Sequence, residues 1–298
     1  MRKLVAALLA LLTLPTFWAL DASLDRADAG VLVQKVETTG DARYDPGRWK
    51  DLTFVLLIGS DERPGLDGAR GDALHVVALN PTHKKATMIN IPRDTWVEIP
   101  GRGQGRINEA YHFGGAQLQA ETVSRLVGAP IHYTVTTTFA GLVAMVDAMG
   151  GLEIDVPYPM DDPNSGAAFH QGRAVYNGTQ VLAFSRNRHI PDGDMSRTAH
   201  QGQVIIHALA SLRQRGTSGT QVLGYLDVLF RNVRTEGISP TDLYRLGRTA
   251  LSVDPADVRN YTVPSQVGMR GAASVVFVRP QASALFADFA DDGILQSH

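Results

Sequence analysis

Arginines and aspartates gathered near strand ends are the residues of this chain whose types and spacing suit chemistry. The densest group spans residues 184–197, FSRNRHIPDGDMSR, where Arg186, Arg188 and Arg197 surround Asp192 and Asp194. Arg186 and Arg188 follow the apolar run Val181-Leu182-Ala183-Phe184 at a spacing of two. Read as a strand, that run sends both guanidiniums out of one face at its end. Two planar cations side by side fit a doubly charged, oxygen-rich ligand such as pyrophosphate. Taken alone, the pair also describes a solvated loop whose Arg and Asp neutralise each other.

Three further residues change that balance. The apolar run of residues 54–58, FVLLI, reads as a strand buried on both faces and ends at Gly59-Ser60-Asp61. Asp72 precedes a second buried strand at 73–79, and a third at 86–91 forms a hairpin with it and ends at Pro92-Arg93-Asp94-Thr95. Open α/β sheets place ligands where the chain leaves such strands. If the strands form one sheet, Asp61, Asp72, Arg93, Arg186, Arg188 and Arg197 converge on one edge. Two carboxylates suit a hard divalent cation, Mg²⁺ by preference, which keeps several waters and bridges to ligand phosphates. Arginines then neutralise the remaining phosphate oxygens as a phosphoryl group moves. A Ser-His-Asp order, a Walker loop and an HExxH motif are all missing from the sequence. The lone histidines His75, His112 and His189 read as structural or surface residues.

The elements that must position these groups are legible in outline. A helical region opens at 106–111 and continues over 117–127; a strand at 132–136, a helix at 139–149 and a half-buried strand at 152–157 follow. Asp161-Asp162-Pro163 begins a polar loop suited to capping a groove, and 172–177 is hairpin-like. A long helix over 198–213 starts directly after Arg197, so its unpaired N–H groups add to an anion site. Two helices at 221–234 and 240–251, strands at 260–263 and 275–278, and a terminal helix at 280–290 complete the pattern. No internal repeat or second-domain boundary is visible.

Bulk properties bound the function. The 298 residues carry a formal net charge of -2, which advertises no nucleic-acid footprint. With 44% hydrophobic and 19% charged residues the chain builds a sizeable core. It has no cysteine, which excludes disulfides, thiolate metal sites and Cys nucleophiles together. Met1-Arg2-Lys3 precedes an uncharged run, LVAALLALLTLPTFWAL, the pattern of an export signal that is either cleaved or kept as an anchor. The reading is a signal peptide or membrane anchor at 1–22, a linker at 23–51 and one extracytoplasmic domain at 52–298, at the outer face of the cytoplasmic membrane.

The chain resembles the LytR-CpsA-Psr family over residues 54–210. The resemblance is carried, in order, by LLIGSDERP with the later RGDAL, INIPRDTWVEIPG, RINEAYHFGG, VDAMGGLEIDVP and LAFSRNRHIPDGDMSRTAHQGQ. It implies an α/β fold with a central mixed β-sheet, helices on both faces and a hydrophobic groove for a polyprenyl chain. It implies transfer of a glycopolymer from a polyprenyl-pyrophosphate carrier to peptidoglycan, forming a phosphodiester with Mg²⁺. Carried over by position, Asp61 and Asp72 match the metal-binding acids, and Arg93 and Asp94 the IPRD-type motif. Arg186 and Arg188 match the pyrophosphate-gripping pair, Arg197 the arginine after the Gly-Asp segment, and Gln201 the glutamine a turn later. Arg106 stands where many members have Lys. RGDAL has Gly71 and Ala73 where Ser and Thr are usual. Competing readings are a lipid-binding module without turnover, a lipid pyrophosphatase, and a transcriptional attenuator, the last disfavoured by the export segment and charge.

Overall fold

A computed structural model describes residues 30–38, 52–61, 69–188, 194–215 and 233–296. The export segment, His189, Asp192, the Asp194 side chain and most of the expected 221–234 helix lie outside the described residues. Among the described residues no helix is long and apolar enough to cross a membrane.

The chain starts with β1 (Val31–Lys35), β2 (Thr53–Ser60), β3 (Gly71–Asn80) and β4 (Lys85–Ile91). A small hairpin, β5 (Trp96–Ile99) with β6 (Gly103–Arg106), leads into α1 (Glu109–Val127), then β7 (Tyr133–Thr138) and α2 (Phe139–Ala148). Four short strands follow: β8 (Leu152–Val156), β9 (Met160–Asp162), β10 (Ala167–Phe169) and β11 (Gly172–Tyr176). Next come α3 (Gly178–Arg186), α4 (Asp194–Arg215), β12 (Val233–Glu236) and α5 (Pro240–Ser252). The chain closes with β13 (Val258–Thr262), the hairpin β14 (Ser265–Arg270) and β15 (Ala273–Val278), and α6 (Ala282–Asp292).

Seven strands form the central sheet in the order β12-β1-β7-β2-β3-β4-β13. It is mixed: β2 runs parallel to β7 and β13 to β4, while β3 is antiparallel to both β2 and β4. Alternation along the strands divides the core in two. Phe54, Leu56 and Ile58 of β2, with Leu74, Val76, Ile89 and Ile91, pack against α1 and α6. Val55, Leu79 and Ala86 point the other way, toward Leu246 and Ala250 of α5. The sheet is therefore covered by helices on both faces, as expected. Phe54 meets Phe289 of α6 edge to face at 5.5 Å. Each large apolar side chain so buried contributes about 1.5–3 kcal/mol. A third cluster, built on Val181 and Phe184 of α3 with Leu152, Ile154 and Val204, holds α3 and α4 beside the sheet edge.

Three expectations are corrected. Val31–Lys35 is a strand inside the segment read as a linker; Val31 and Val33 are buried, and β7 pairs along its whole length. Val233 and Arg234, read as the end of a helix, lie on β12, parallel to β1. Residues 181–186 form the end of helix α3, not a strand, so Arg186 and Arg188 do not share a strand face. The cause is local: Asn177 and Gln180 form a reciprocal capping box, with Asn177 Oδ1 accepting from the Gln180 amide and Gln180 Oε1 from the Asn177 amide, both at 3.0 Å. Val181, Phe184 and Ser185 then fall on one buried helical stripe. A four-residue apolar run does not by itself distinguish helix from strand.

Candidate active site

The sheet's topology sets the first half of the site. Because β3 is antiparallel to its two neighbours, the end of β2, the start of β3 and the end of β4 lie on one edge. Asp61 follows β2, Asp72 is the second residue of β3, and Arg93 follows β4. Asp72 is thus at a strand entry, not an exit, and reaches the same edge through the reversed direction of β3. The helical half comes from the C-terminus of α3, which carries Arg186, and the first two turns of α4, which carry Arg197 and Gln201.

These pieces enclose one cavity of about 550 Å³. Asp61, Asp72, Arg93, Arg186, Arg188, Arg197 and Gln201 all line it. Arg93 Nη1 lies 2.8 Å from Asp72 Oδ2, and Asn108 Nδ2 donates to Asp72 Oδ1 at 3.4 Å. Asp61 Oδ1 accepts from the Arg70 amide at 2.8 Å, which fixes the carboxylate at the mouth of the β2–β3 connection. The Arg186 guanidinium sits over the Phe139 ring at 5.2 Å, where an aromatic face favours a cation without neutralising it. Arg188 is exposed, and its amide donates to Asp162 Oδ2 at 3.3 Å. Arg197 is only 4% exposed, a permanent cation in the cavity wall on the first turn of α4. There the helix N-terminus adds its own positive potential. Gln201 Nε2 donates to the Ser185 carbonyl at 3.0 Å and ties α4 to α3 between Arg186 and Arg197.

Two expected site residues stand just behind this wall. Asp94 Oδ2 is 3.6 Å from Arg93 Nε, and its Oδ1 is 3.9 Å from Arg106 Nη1. Arg106 is also held by Glu109 through Nε at 3.0 Å and Nη2 at 2.9 Å. Neither Asp94 nor Arg106 lines the cavity. Sequence reasoning missed Asn108, Ser185 and the specific role of Asp162. Asp162 is 2% exposed, and besides Arg188 it caps its own turn by accepting from the Asn164 amide at 3.0 Å. The Asp-Pro-Asn-Ser-Gly string of that turn was the available signal. His75 is buried against Asn90 and His112 is exposed, neither in the cavity.

No group of three or more His, Asp or Glu able to hold a metal stands together among the described residues. Two carboxylates, Asp61 and Asp72, do face the same arginine-lined cavity. That donor set fits Mg²⁺, which takes one or two carboxylates and completes its shell with water and substrate phosphates.

The model of the LytR_cpsA_psr family matches residues 27–288. A polyisoprenyl-teichoic acid–peptidoglycan teichoic acid transferase, TagU, of Bacillus cereus (strain AH820) is 38% identical over 186 residues, 61% of this chain and 59% of that relative. The TagU of Oceanobacillus iheyensis is 36% identical over 194 residues, 63% of this chain and 59% of the relative. The chain therefore spans 59% of the length of these relatives. The crystal structure of B. subtilis TagV superimposes with a TM-score of 0.70 at 24% identity, covering 83% of this chain and 99% of that one. A LytR-Csp2A-Psr enzyme from Actinomyces oris gives a TM-score of 0.68 at 23% identity, covering 87% and 94%. The mixed sheet with helices on both faces is the fold of these structures, and the chain belongs to the LytR_cpsA_psr family.

Proposed function

We propose that this protein is a phosphotransferase that moves a glycopolymer from a polyprenyl-pyrophosphate carrier to peptidoglycan at the outer face of the cytoplasmic membrane. The observation that carries the reading is the single cavity shared by Asp61, Asp72, Arg93, Arg186, Arg188 and Arg197. Four guanidiniums line it against three carboxylates, one of which, Asp162, already accepts two backbone amides; the surplus of positive charge suits a ligand with several negative oxygens. The names of the TagU relatives support the substrate class.

In this reading an acceptor hydroxyl oxygen bonds to the sugar-proximal phosphorus, the P–O–P bridge breaks, and polyprenyl phosphate leaves, taking up the hydroxyl's proton. The protein's work is positioning and charge. Arg186 and Arg188 grip the pyrophosphate from the helical side. Arg93 meets it from the sheet side, oriented by Asp72 and Asp94. Arg197 and the start of α4 hold charge that develops on the leaving phosphate. Arg106, outside the cavity, supports Asp94 and adds positive potential; Gln201 fixes the seam between α3 and α4. Asp61 and Asp72 are the residues that would hold Mg²⁺, which supplies further neutralisation of phosphate charge when bound. An apolar groove for the polyprenyl chain belongs to the same reading.

The test is incubation of the full chain with a polyprenyl-pyrophosphate sugar, Mg²⁺ and peptidoglycan. Losing one arginine that stabilises phosphoryl charge should cost about 10²–10³ in rate. Arg93→Ala and Arg186→Ala should show that loss while unfolding at the wild-type temperature. Full activity in both variants would sink the proposal. Tight carrier binding with no product from wild type would favour a binding module, and release of phosphate without ligation a pyrophosphatase.

A further inference from the structure

We propose that the β14–β15 hairpin is a docking surface for an anionic lipid bilayer, separate from the phosphate cavity. The proposal takes its setting at the membrane from the function above, but its geometry is independent. At its base the hairpin is locked to the site. The Val276 amide donates to the Asp94 carbonyl at 2.9 Å, and Ser265 Oγ donates to Met195 Sδ, 3.6 Å away on the first turn of α4. The hairpin thus contacts both the Arg93–Asp94 segment and the helix that carries Arg197.

Its outer part is built differently. Val267 and Met269, the two large apolar residues of β14, are two apart, point to one side and are 70% and 59% exposed. Single exposed apolar residues are ordinary. Here the charge pattern points to an occupant. The protein has 30 acidic residues in 298, yet residues 258–287 contain none, while Arg259, Arg270 and Arg279 are all exposed. Arg270 lies over the Phe277 ring at 5.1 Å, on the face of the hairpin opposite Val267 and Met269, so the hairpin carries an apolar face and a cationic face. An exposed apolar face backed by an arginine face, on a stretch of chain that itself contains no acid, matches the headgroup–acyl boundary of an anionic leaflet. The other strongly exposed valine, Val175, pairs across the strands with Glu153 and lies between acids and Arg173, which does not match it. Docked this way, the hairpin would hold the Arg93 and Arg197 walls at a fixed height above the leaflet that carries a polyprenyl substrate.

The chain's lack of cysteine makes the test direct. Met269→Cys and Val175→Cys in the full chain are labelled with an environment-sensitive fluorophore and reconstituted into vesicles, without carrier. With phosphatidylglycerol vesicles the label at 269 should blue-shift and become shielded from aqueous iodide, while that at 175 stays quenched. Each arginine near an anionic surface adds about fivefold to binding, so Arg270→Glu should weaken the shielding by at least that factor. Equal quenching at 269 with and without phosphatidylglycerol overturns the proposal, as does equal shielding at 175 or equal shielding by phosphatidylcholine alone. Because no transfer is measured, failure here leaves the enzymatic reading standing. In turnover, Val267→Asp should slow transfer from vesicle-borne carrier and spare a water-soluble short-chain analogue; slowing both equally counts against docking.

Discussion

Gly202 of α4 sits directly over a buried polar string, and adding one methyl there is the sharpest available test of how the arginine-bearing helix is held. The string crosses three neighbouring strands: His75 Nδ1 meets Asn90 Oδ1 at 2.7 Å, and Asn90 Nδ2 donates to Asn260 Oδ1 at 2.6 Å. A Cβ on Gly202 would stand 2.7 Å from Asn260 Oδ1 and 2.8 Å from Asn90 Oδ1. Helix propensity alone favours Ala over Gly by about 1 kcal/mol. The clash opposes it. Overpacking costs about 1–3 kcal/mol, and breaking a buried hydrogen bond about 1–3 kcal/mol more. Gly202→Ala should therefore destabilise by about 1–5 kcal/mol net. At the 2–4 °C per kcal/mol usual for a domain of this size, the melting point falls by about 2–20 °C. Gln201 is the adjacent residue and Arg197 lies five positions earlier, so transfer should slow as well. Gly247 of α5 is the control, because nothing lies within 4 Å of a Cβ there and Ala should stabilise by about 0.5–1 kcal/mol. The assay is urea and thermal unfolding of the full chain beside carrier turnover. If Gly202→Ala proves as stabilising as Gly247→Ala, the polar string does not hold the helix and the reasoning fails.

Two further outcomes follow from the same structure. Burial pushes the His75 imidazole down to about 4, against 6.5 when unfolded, with the Asn90 hydrogen bond only partly opposing the shift. Between those values the unfolded chain binds a proton that the folded chain refuses, so stability is complete above pH 6.5 and falls as pH drops toward 4, by about 3 kcal/mol in all. His132, His200 and His207, also lowered by burial, act in the same direction. Urea unfolding at pH 7.5, 6 and 5 should show the loss, and His75→Gln should flatten it; identical slopes in both proteins would count against a neutral buried imidazole. Asn177→Ala removes the cap of α3 and should cost about 1 kcal/mol. It should raise KM for the carrier, because Arg186 is carried on the same nine-residue helix; an unchanged unfolding curve would contradict the capping box.

The sheet half of the site was legible because its signals are local. Continuous apolar runs ending at Asp61 and Arg93 mark buried strands and their ends, and the β3–β4 turn announces the reversal that brings Asp72 to the same edge. The helical half was misread in shape but not in content. The apolar run 181–184 serves a strand or a helix equally, and the deciding signal was the Asn177–Gln180 pair immediately upstream. β1 was hidden because three consecutive apolar residues, Val31-Leu32-Val33, are too few to stand out from a polar segment. β14 was missed because its apolar face is solvent-exposed and has no burial pattern to read. Asn108 was beyond sequence reasoning, since its significance lies in a partner far along the chain, Asp72; the Asp-Pro-Asn-Ser-Gly string announces the Asp162 turn but not its bond to Arg188.

The division of the cavity between two cores has a consequence for how its charges cooperate. Asp61, Asp72 and Arg93 are fixed by the central sheet, packed against α1 and α6. Arg186 and Arg188 depend on α3, which is packed in a separate cluster with β8 and α4. The arginines repel one another, so a cavity that concentrates them must be held closed by contacts that do not neutralise them. The bonds across the seams meet that requirement. Gln201 joins α4 to the α3 carbonyl of Ser185, and Asp162 holds Arg188 through its backbone amide, leaving the guanidinium available. The polar string under Gly202 seats α4 on the sheet, again without an ion pair to any cavity arginine. On the sheet side Arg93 is paired with Asp72, a bond that an incoming pyrophosphate or a cation would have to share. On the sheet side, then, the Arg93–Asp72 pair rearranges as ligand arrives. Arg93→Ala should then act mainly on the chemical step, whereas Arg186→Ala should lose carrier binding as well as rate.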